Sequence, residues 1–414
     1  MDSSFLVDMV RDSLQHDQLV WNGSTVRNGC GRQLGLSARG RAVLLEVLLS
    51  SKAAGARSLE EAALFQLIAF YLLDRGRLSS VIDYSSFLDD GKEFMQPAEV
   101  SLEITKVCNL RCLHCYNDSG KRDPQELAHS EKVAMARYLG RWGVRRLSLT
   151  GGEPVLDSSF PELLSLAEEY KMAVKVTTNG WEMPRELLAA IKVGTVVHVN
   201  VSLDGADEGT HDAFRGRRGS YERVLRSMRT LAECRPRVLQ LNASIHTISV
   251  HQMEALAHLA LKYHFDSISF KPVTSSGRRD GRVDFLLSLA DLQLYQAERA
   301  RLAGLFAGRL HIEGNILGGA VPTAALDRIG CNAAERSMLI LSNGKMTPCA
   351  ALNADTLAPD IRTISPMEAW LTHPLFQDFL SMKRAVGNIH VGCPGSRFAS
   401  ANSPQAAIGL RVLQ

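Results

Sequence analysis

Cys108, Cys112 and Cys115 fall in the run Lys106-Val107-Cys108-Asn109-Leu110-Arg111-Cys112-Leu113-His114-Cys115-Tyr116. Cysteine thiolates are the usual ligands of iron-sulfur clusters, and this C-x-x-x-C-x-x-C spacing offers three where a cubane takes four. The iron left without a protein ligand can bind a small molecule, so a cluster held here is a reagent as well as an electron carrier. The same three thiols also read as buried structural cysteines, or as a zinc site short of its fourth ligand.

Further along, polar and glycine-rich runs sit where strands should end. Thr150-Gly151-Gly152-Glu153-Pro154 combines glycines, which let a backbone come close to a ligand, with a carboxylate able to pair with an ammonium. Thr177-Thr178-Asn179-Gly180 and Asn200-Val201-Ser202-Leu203-Asp204-Gly205 supply hydroxyl, amide and carboxylate groups. Taken singly, each also reads as a strand end with capping and turn duties. Ser244, His246 and Lys271 are further polar positions on later strands. A second cysteine group, Cys331, Cys349 and Cys393, lies towards the C-terminus, while Cys30 and Cys234 read as small core residues.

These residues are positioned by a regular alternation. Val100, Leu102 and Ile104 predict a strand leading into the first cysteine loop. Strands are then expected over 146–150, 173–178, 196–203, 238–247 and 267–273, with helices over 131–139, 160–170, 187–191, 221–234 and 251–263 between them. Such alternation implies parallel β-α units with right-handed crossovers, six of which make a partial barrel. Before it, Leu19-Val20-Trp21 and Thr25-Val26-Arg27 flank an Asn22-Gly23 hairpin signal, followed by helices from Ala38 to Leu49 and from Ser58 towards Gly76. After it, Ser337–Leu341 and Lys345–Thr347 straddle a second hairpin signal, Asn343-Gly344, between Cys331 and Cys349. The expected division is 1–85 as a small winged-helix-like α+β module, 86–98 as linker, 99–290 as barrel and 291–414 as extension.

Composition narrows the function classes. In 414 residues, 45% hydrophobic, 47 basic side chains nearly balance 44 acidic ones, so the net charge of +3 gives no reason to expect nucleic acid as partner. Arg215, Arg217 and Arg218, like Arg278, Arg279 and Arg282, read as solvated loop clusters. No long apolar run suggests a membrane span, and the acids in MDSSFLVDMVRDSLQ do not suit a signal peptide, so a cytoplasmic location is expected. Eight cysteines in such a chain argue for metal or redox chemistry rather than disulfides.

In their order and at their strand ends, the cysteine triplet, Gly151-Gly152-Glu153 and the 178 and 202–204 runs resemble a radical S-adenosylmethionine (SAM) core. The resemblance implies a partial (β/α)6 TIM-like barrel whose Cys108, Cys112 and Cys115 hold a 4Fe-4S cluster, with SAM completing it. It assigns SAM contacts to Tyr116, Gly151, Gly152, Glu153, Thr178, Ser202, Asp204 and Ser244. The chemistry implied is reductive cleavage of SAM to a 5′-deoxyadenosyl radical that abstracts hydrogen from substrate. Thr210-His211-Asp212-Ala213-Phe214-Arg215-Gly216 matches a segment of family members with a C-terminal cluster extension. Cys331, Cys349 and Cys393 resemble the ligands of a SPASM or twitch extension, although Ser396 stands where a further cysteine is expected, so one auxiliary cluster is implied.

Residues 1–85 resemble a PqqD-like recognition module, which pairs the leader of a ribosomally made precursor peptide with a sheet edge. Together these imply a peptide maturase forming an oxidative C–C or C–S crosslink, fed electrons by a flavodoxin or ferredoxin. Two alternatives remain: a radical SAM dehydrogenase, sulfatase-maturase-like or acting on a small alcohol, and a redox-sensing iron-sulfur regulator.

Overall fold

Alternating apolar and polar positions decide how the strands of this chain are faced. The computed structural model describes residues 10, 19–21, 25–28, 33–36, 38–49, 64, 65, 67, 68, 97–273, 285–314, 331–350, 352 and 358–386. They belong to two compact units, residues 1–98 with 138–144, and residues 99–137 with 145–414.

In the first unit β1 (Leu19–Trp21), β2 (Thr25–Asn28) and β3 (Gln33–Gly35) form an antiparallel sheet in that order, followed by α1 (Ala38–Leu49). Leu19 pairs with Asn28 and Trp21 with Val26, so the two strands form the expected antiparallel pair but in a register centred between residues 23 and 24, where a two-residue Asn22-Gly23 loop would have paired Trp21 with Ser24; the turn itself lies outside the described residues. The third strand was not expected: Gln33-Leu34-Gly35 is too short to show a period. Of the helix expected after Ser58, only Leu64, Phe65, Leu67 and Ile68 are among the described residues, helical and buried. Cys30 and most of the 86–98 segment lie outside them.

In the second unit the strands are β4 (Glu99–Thr105), β5 (Arg146–Gly151), β6 (Ala173–Thr178), β7 (Val196–Ser202), β8 (Val238–Ile245) and β9 (Ser267–Pro272), each paired in parallel with the next. The crossovers carry α2 (His129–Trp142, of which residues 129–137 belong to this unit), α3 (Phe160–Glu169), α4 (Arg185–Lys192), α5 (Glu208–Arg215), α6 (Ser220–Cys234) and α7 (Met253–Lys262). Leu102, Leu149, Val176, Val199 and Leu239 stand in one register row and are fully buried. The helices supply Leu163, Leu187, Ile191, Val224, Met228, Leu256 and Ala260, also buried. Each large apolar side chain so placed contributes about 1.5–3 kcal/mol, which makes this layer the main source of barrel stability. Alternate positions, such as Lys175, Thr177, Asn200, Asn242 and Ser244, take the other, polar face.

Two expectations are corrected. The strand at Ser267–Pro272 is not the last: after α8 (Leu289–Leu305), β10 (His311–Gly314) pairs with it in parallel. The second hairpin, β11 (Ser337–Ile340) and β12 (Met346–Thr347), does not stand apart from the barrel either, because β11 adds in parallel to the open edge of β4. Among the described residues the sheet therefore runs β10-β9-β8-β7-β6-β5-β4-β11-β12. An unpaired edge leaves N–H and C=O groups unsatisfied, and these short strands cover both edges of the six-strand core. The helix α5 was also unforeseen. Asp207 caps it by accepting from the Thr210 N–H at 2.8 Å, and Gly216 ends it at φ 68°. Its apolar residues are too few for a visible helical stripe. Beyond the hairpin, α9 (Pro366–Thr372) and α10 (Pro374–Val386) close the described chain.

Candidate functional site

The loop leaving β4 is pinned before its cysteines begin. Glu126 accepts from the Thr105 hydroxyl at 3.1 Å and from the Lys106 N–H at 3.0 Å. The Gly120 N–H donates to the Lys106 carbonyl at 2.8 Å, folding the loop back on itself. From the far side, the Arg215 and Phe214 carbonyls at the end of α5 accept from Arg111 N–H (3.2 Å) and Leu113 N–H (3.0 Å). Both chain directions of the loop are thus fixed by backbone bonds. Within it the sulfurs are themselves acceptors, Cys108 from Leu110 N–H at 3.4 Å and Cys115 from Ser119 N–H at 3.2 Å. Burial pushes the Cys108 thiol up to about 11 and raises Cys112 as well, the Arg215 guanidinium opposing the latter. Bare thiolates are unfavourable in such a place, and a positively charged metal centre is what stabilises them.

Gly151 and Gly152 approach this loop rather than open space. A Cβ on Gly151 would lie 2.3 Å from the Thr105 carbonyl oxygen, and one on Gly152 2.3 Å from that of Val107. The contact is sealed by Gly152 N–H to Thr105 O (2.7 Å) and Glu153 N–H to Val107 O (2.9 Å). Glu153 is buried, with one carboxylate oxygen accepting from the Thr178 hydroxyl at 2.8 Å and the other from Asn179 N–H at 2.7 Å. Burial raises it to about 7 against the pull of those two donors. Asn179 in turn donates to Asn109 at 2.8 Å. The ends of β4, β5 and β6 are therefore one bonded unit, and Glu153 and Thr178, expected as ligand contacts, lie within it, bonded to each other.

The end of β7 is built around a buried carboxylate. Asp204, with 0% of its surface exposed, accepts from Ser244 N–H at 2.8 Å, and its Oδ2 lies 2.7 Å from Arg215 Nε and 3.7 Å from His114 Nε2. Burial would raise its pKa, but Arg215, His114, His211 and the Ser244 N–H hold it below the usual carboxylate range. Arg215 is only 7% exposed and its Nη1 donates to the Cys112 sulfur at 3.7 Å. This corrects the reading of Arg215 as part of a solvated cluster: a guanidinium flanked by a carboxylate and a thiol can be buried because it is paired. Ser244 meets His114 through its hydroxyl (3.0 Å), and the His114, Phe214 and His246 rings stack at centroid distances of 4.4 and 4.1 Å. Ser202 is half-buried at the end of β7, and Tyr116 keeps 43% of its surface exposed beside the loop. Sequence reasoning passed over His114 and Phe214; the only available signal was their position, one inside the cysteine run and the other beside Arg215.

With this geometry established, comparison identifies the barrel. Residues 102–260 match the radical SAM superfamily. The barrel is that of a radical SAM enzyme. Among curated proteins, mycofactocin maturase MftC of Mycolicibacterium smegmatis is 34% identical over 167 residues, 40% of this chain and 42% of that protein. Sporulation killing factor maturation protein SkfB of Bacillus subtilis is 35% identical over 137 residues, 33% of each chain. The matched stretches thus span less than half the length of these relatives. The crystal structure of Streptococcus suis SuiB bound to S-adenosylmethionine shares the fold over 91% of this chain and 94% of its own, with TM-score 0.60 and 18% identity.

A radical SAM barrel implies a 4Fe-4S cluster and SAM, and the residues present fit them. Among the described residues no three His, Cys, Asp or Glu side chains close around a single metal ion. A multi-iron cluster takes one thiolate per iron and so asks for wider separation. The three thiols lie within electrostatic range of one another, and N–H groups and a guanidinium point at their sulfurs, the second-shell pattern that suits a charged cluster. Of the second cysteine group, Cys331 and Cys349 flank the open end of the β11–β12 hairpin, while Cys393 and Ser396 lie outside the described residues. The hairpin turn sits by the C-terminal end of β4, where Ser342 donates to Glu103 at 2.9 Å. Its open end, with both cysteines, accordingly faces the N-terminal edge of the barrel strands, away from Cys108. No helix among the described residues is long and apolar enough to cross a membrane.

Proposed function

We propose that this chain is a radical SAM peptide maturase, acting on a ribosomally made precursor peptide and leading to an oxidative side-chain crosslink. The observation that carries the reading is the docking of Gly151-Gly152-Glu153 onto the Cys108–Cys115 loop, which brings the ends of three strands to one cluster site. When bound, the cluster and SAM supply a 5′-deoxyadenosyl radical able to remove a hydrogen from carbon. The chain's own part is positional: Cys108, Cys112 and Cys115 hold the cluster, half-buried Ser202 and the partly exposed ring of Tyr116 stand beside it, and the polar inner face of β6–β8 receives the substrate.

The peptide substrate is supported by the relatives, since MftC and SkfB are maturation proteins and a structure of SuiB carries its precursor peptide SuiA. It is supported also by the β1–β3 sheet, whose two edges, unpaired among the described residues, suit strand addition by an extended leader. Cys331, Cys349 and Cys393 are proposed to hold one auxiliary cluster that takes up the electron left by oxidation.

The test uses the whole chain, reconstituted with iron and sulfide under strong reductant. Release of 5′-deoxyadenosine from SAM is expected, and with the precursor peptide encoded nearest its gene, a product lighter by two hydrogens. No 5′-deoxyadenosine would refute the radical reading; turnover of the core peptide at equal rate without its leader would refute leader recognition.

A further inference from the structure

The buried pair Asp204–Arg215 belongs to neither the cluster ligands nor the docked Gly-Gly-Glu segment, yet it touches the cluster loop at three points. The guanidinium donates to Cys112 Sγ at 3.7 Å, the Arg215 carbonyl accepts from Arg111 N–H at 3.2 Å, and Gly216 runs so close that a Cβ there would be 2.5 Å from the Arg111 carbonyl oxygen. On its other side Asp204 is fixed by Ser244 N–H and by His211 Nδ1, which accepts from the Asp204 N–H at 3.1 Å. The strands β7 and β8 and the helix α5 thus converge on one thiol.

We propose that Arg215, braced by Asp204, is a positioning residue that sets the reduction potential of the cluster held by Cys108, Cys112 and Cys115. Reduction adds negative charge to a cluster, and charges close to its sulfurs in a poorly hydrated place act on it strongly. The guanidinium favours the reduced form; Asp204, one atom layer further out, offsets it. The net effect depends on both charges being present, and their removal one at a time has opposite signs. A pair serving only to hold the loop has no such sign rule. Lysine in place of Arg215 keeps the charge but cannot bridge carboxylate and thiol with one compact ammonium.

The inference rests on the cluster reading of the three cysteines, and the experiment separates the two. The whole chain carrying Cys331→Ala, Cys349→Ala and Cys393→Ala, so that a single cluster contributes, is reconstituted as such and with Arg215→Gln, Arg215→Lys, Asp204→Asn or both Arg215→Gln and Asp204→Asn. Iron content and the midpoint potential, read by paramagnetic resonance during a redox titration, are measured for each. The expected result is a more negative potential for Arg215→Gln, a more positive one for Asp204→Asn, and values between these and the parent for Arg215→Lys and the double variant. A parent that binds no iron overturns the cluster reading itself. A loaded parent whose variants keep its potential, shift in one common direction, or all fail to retain iron overturns the assignment of Arg215 and Asp204, leaving them a purely structural joint.

Discussion

Replacing Gly152 by alanine tests whether the Gly-Gly-Glu segment is docked on the cluster loop as described. The new Cβ would lie 2.3 Å from the Val107 carbonyl oxygen and 2.8 Å from that of Lys106, both backbone atoms that cannot rotate away. Reaching ordinary contact requires the segment to retreat by roughly 1 Å, given optimal non-bonded separations near 3.5 Å. That displacement breaks Gly152 N–H to Thr105 O and Glu153 N–H to Val107 O, now 2.7 and 2.9 Å. Two buried backbone bonds at about 1 kcal/mol each, and more where a group is left unsatisfied, give a loss of about 2–5 kcal/mol. For a chain of this size that is a fall in melting temperature of roughly 2–6 °C. The assay is a thermal melt of the iron-free chain, with iron retention after reconstitution as second readout. Gly304→Ala is the control, because nothing lies within 4 Å of a Cβ there and the site is in α8, so stability should stay or rise by up to about 1 kcal/mol. A Gly152→Ala chain that melts with the parent and holds its iron would refute the docking argument.

Lys132 is buried between Asp157 (2.6 Å) and Glu126 (3.2 Å), so Lys132→Met leaves two buried carboxylates facing each other and should cost about 3–5 kcal/mol in denaturant unfolding; an unchanged midpoint would count against the pairing. Asp207→Ala removes the cap of α5 and should cost about 1 kcal/mol, with faster amide exchange at Thr210 as its local sign. Burial, with the Arg215 guanidinium nearby, pushes His211 down to about 4, below the ordinary 6.5. The unfolded chain therefore binds a proton that the folded chain refuses between those values, and stability falls as pH drops from 6.5 to 4, by on the order of 3 kcal/mol from this group. His211→Asn, whose carbonyl can accept from the Asp204 N–H as Nδ1 does, should remove that part of the acid loss; identical acid limbs for both chains would show the imidazole does not cause it.

The barrel strands were legible because each is a short apolar alternation repeated at the spacing of a β-α unit, and Val100–Ile104 or Ala173–Thr178 needs no context to be read. The edge strands were not. His311-Ile312-Glu313-Gly314 has one buried apolar residue, and it is a strand because β9 offers it a ladder. Likewise α5 depends on its Asp207 cap and on the cluster loop against which its end packs, neither of which shows as a periodic stripe.

The sequence by itself determined the thiols, their spacing and the glycines, since metal ligation and close backbone approach admit few other residue types. Only the tertiary structure decided what the intervening polar groups face. Glu153 and Asp204 look alike in sequence as carboxylates at strand ends. One is bound by neutral donors from β6 and raised by burial, while the other is held down by a guanidinium carried in on α5. A carboxylate's charge is set by what desolvates it and what pairs with it, and both come from residues distant along the chain.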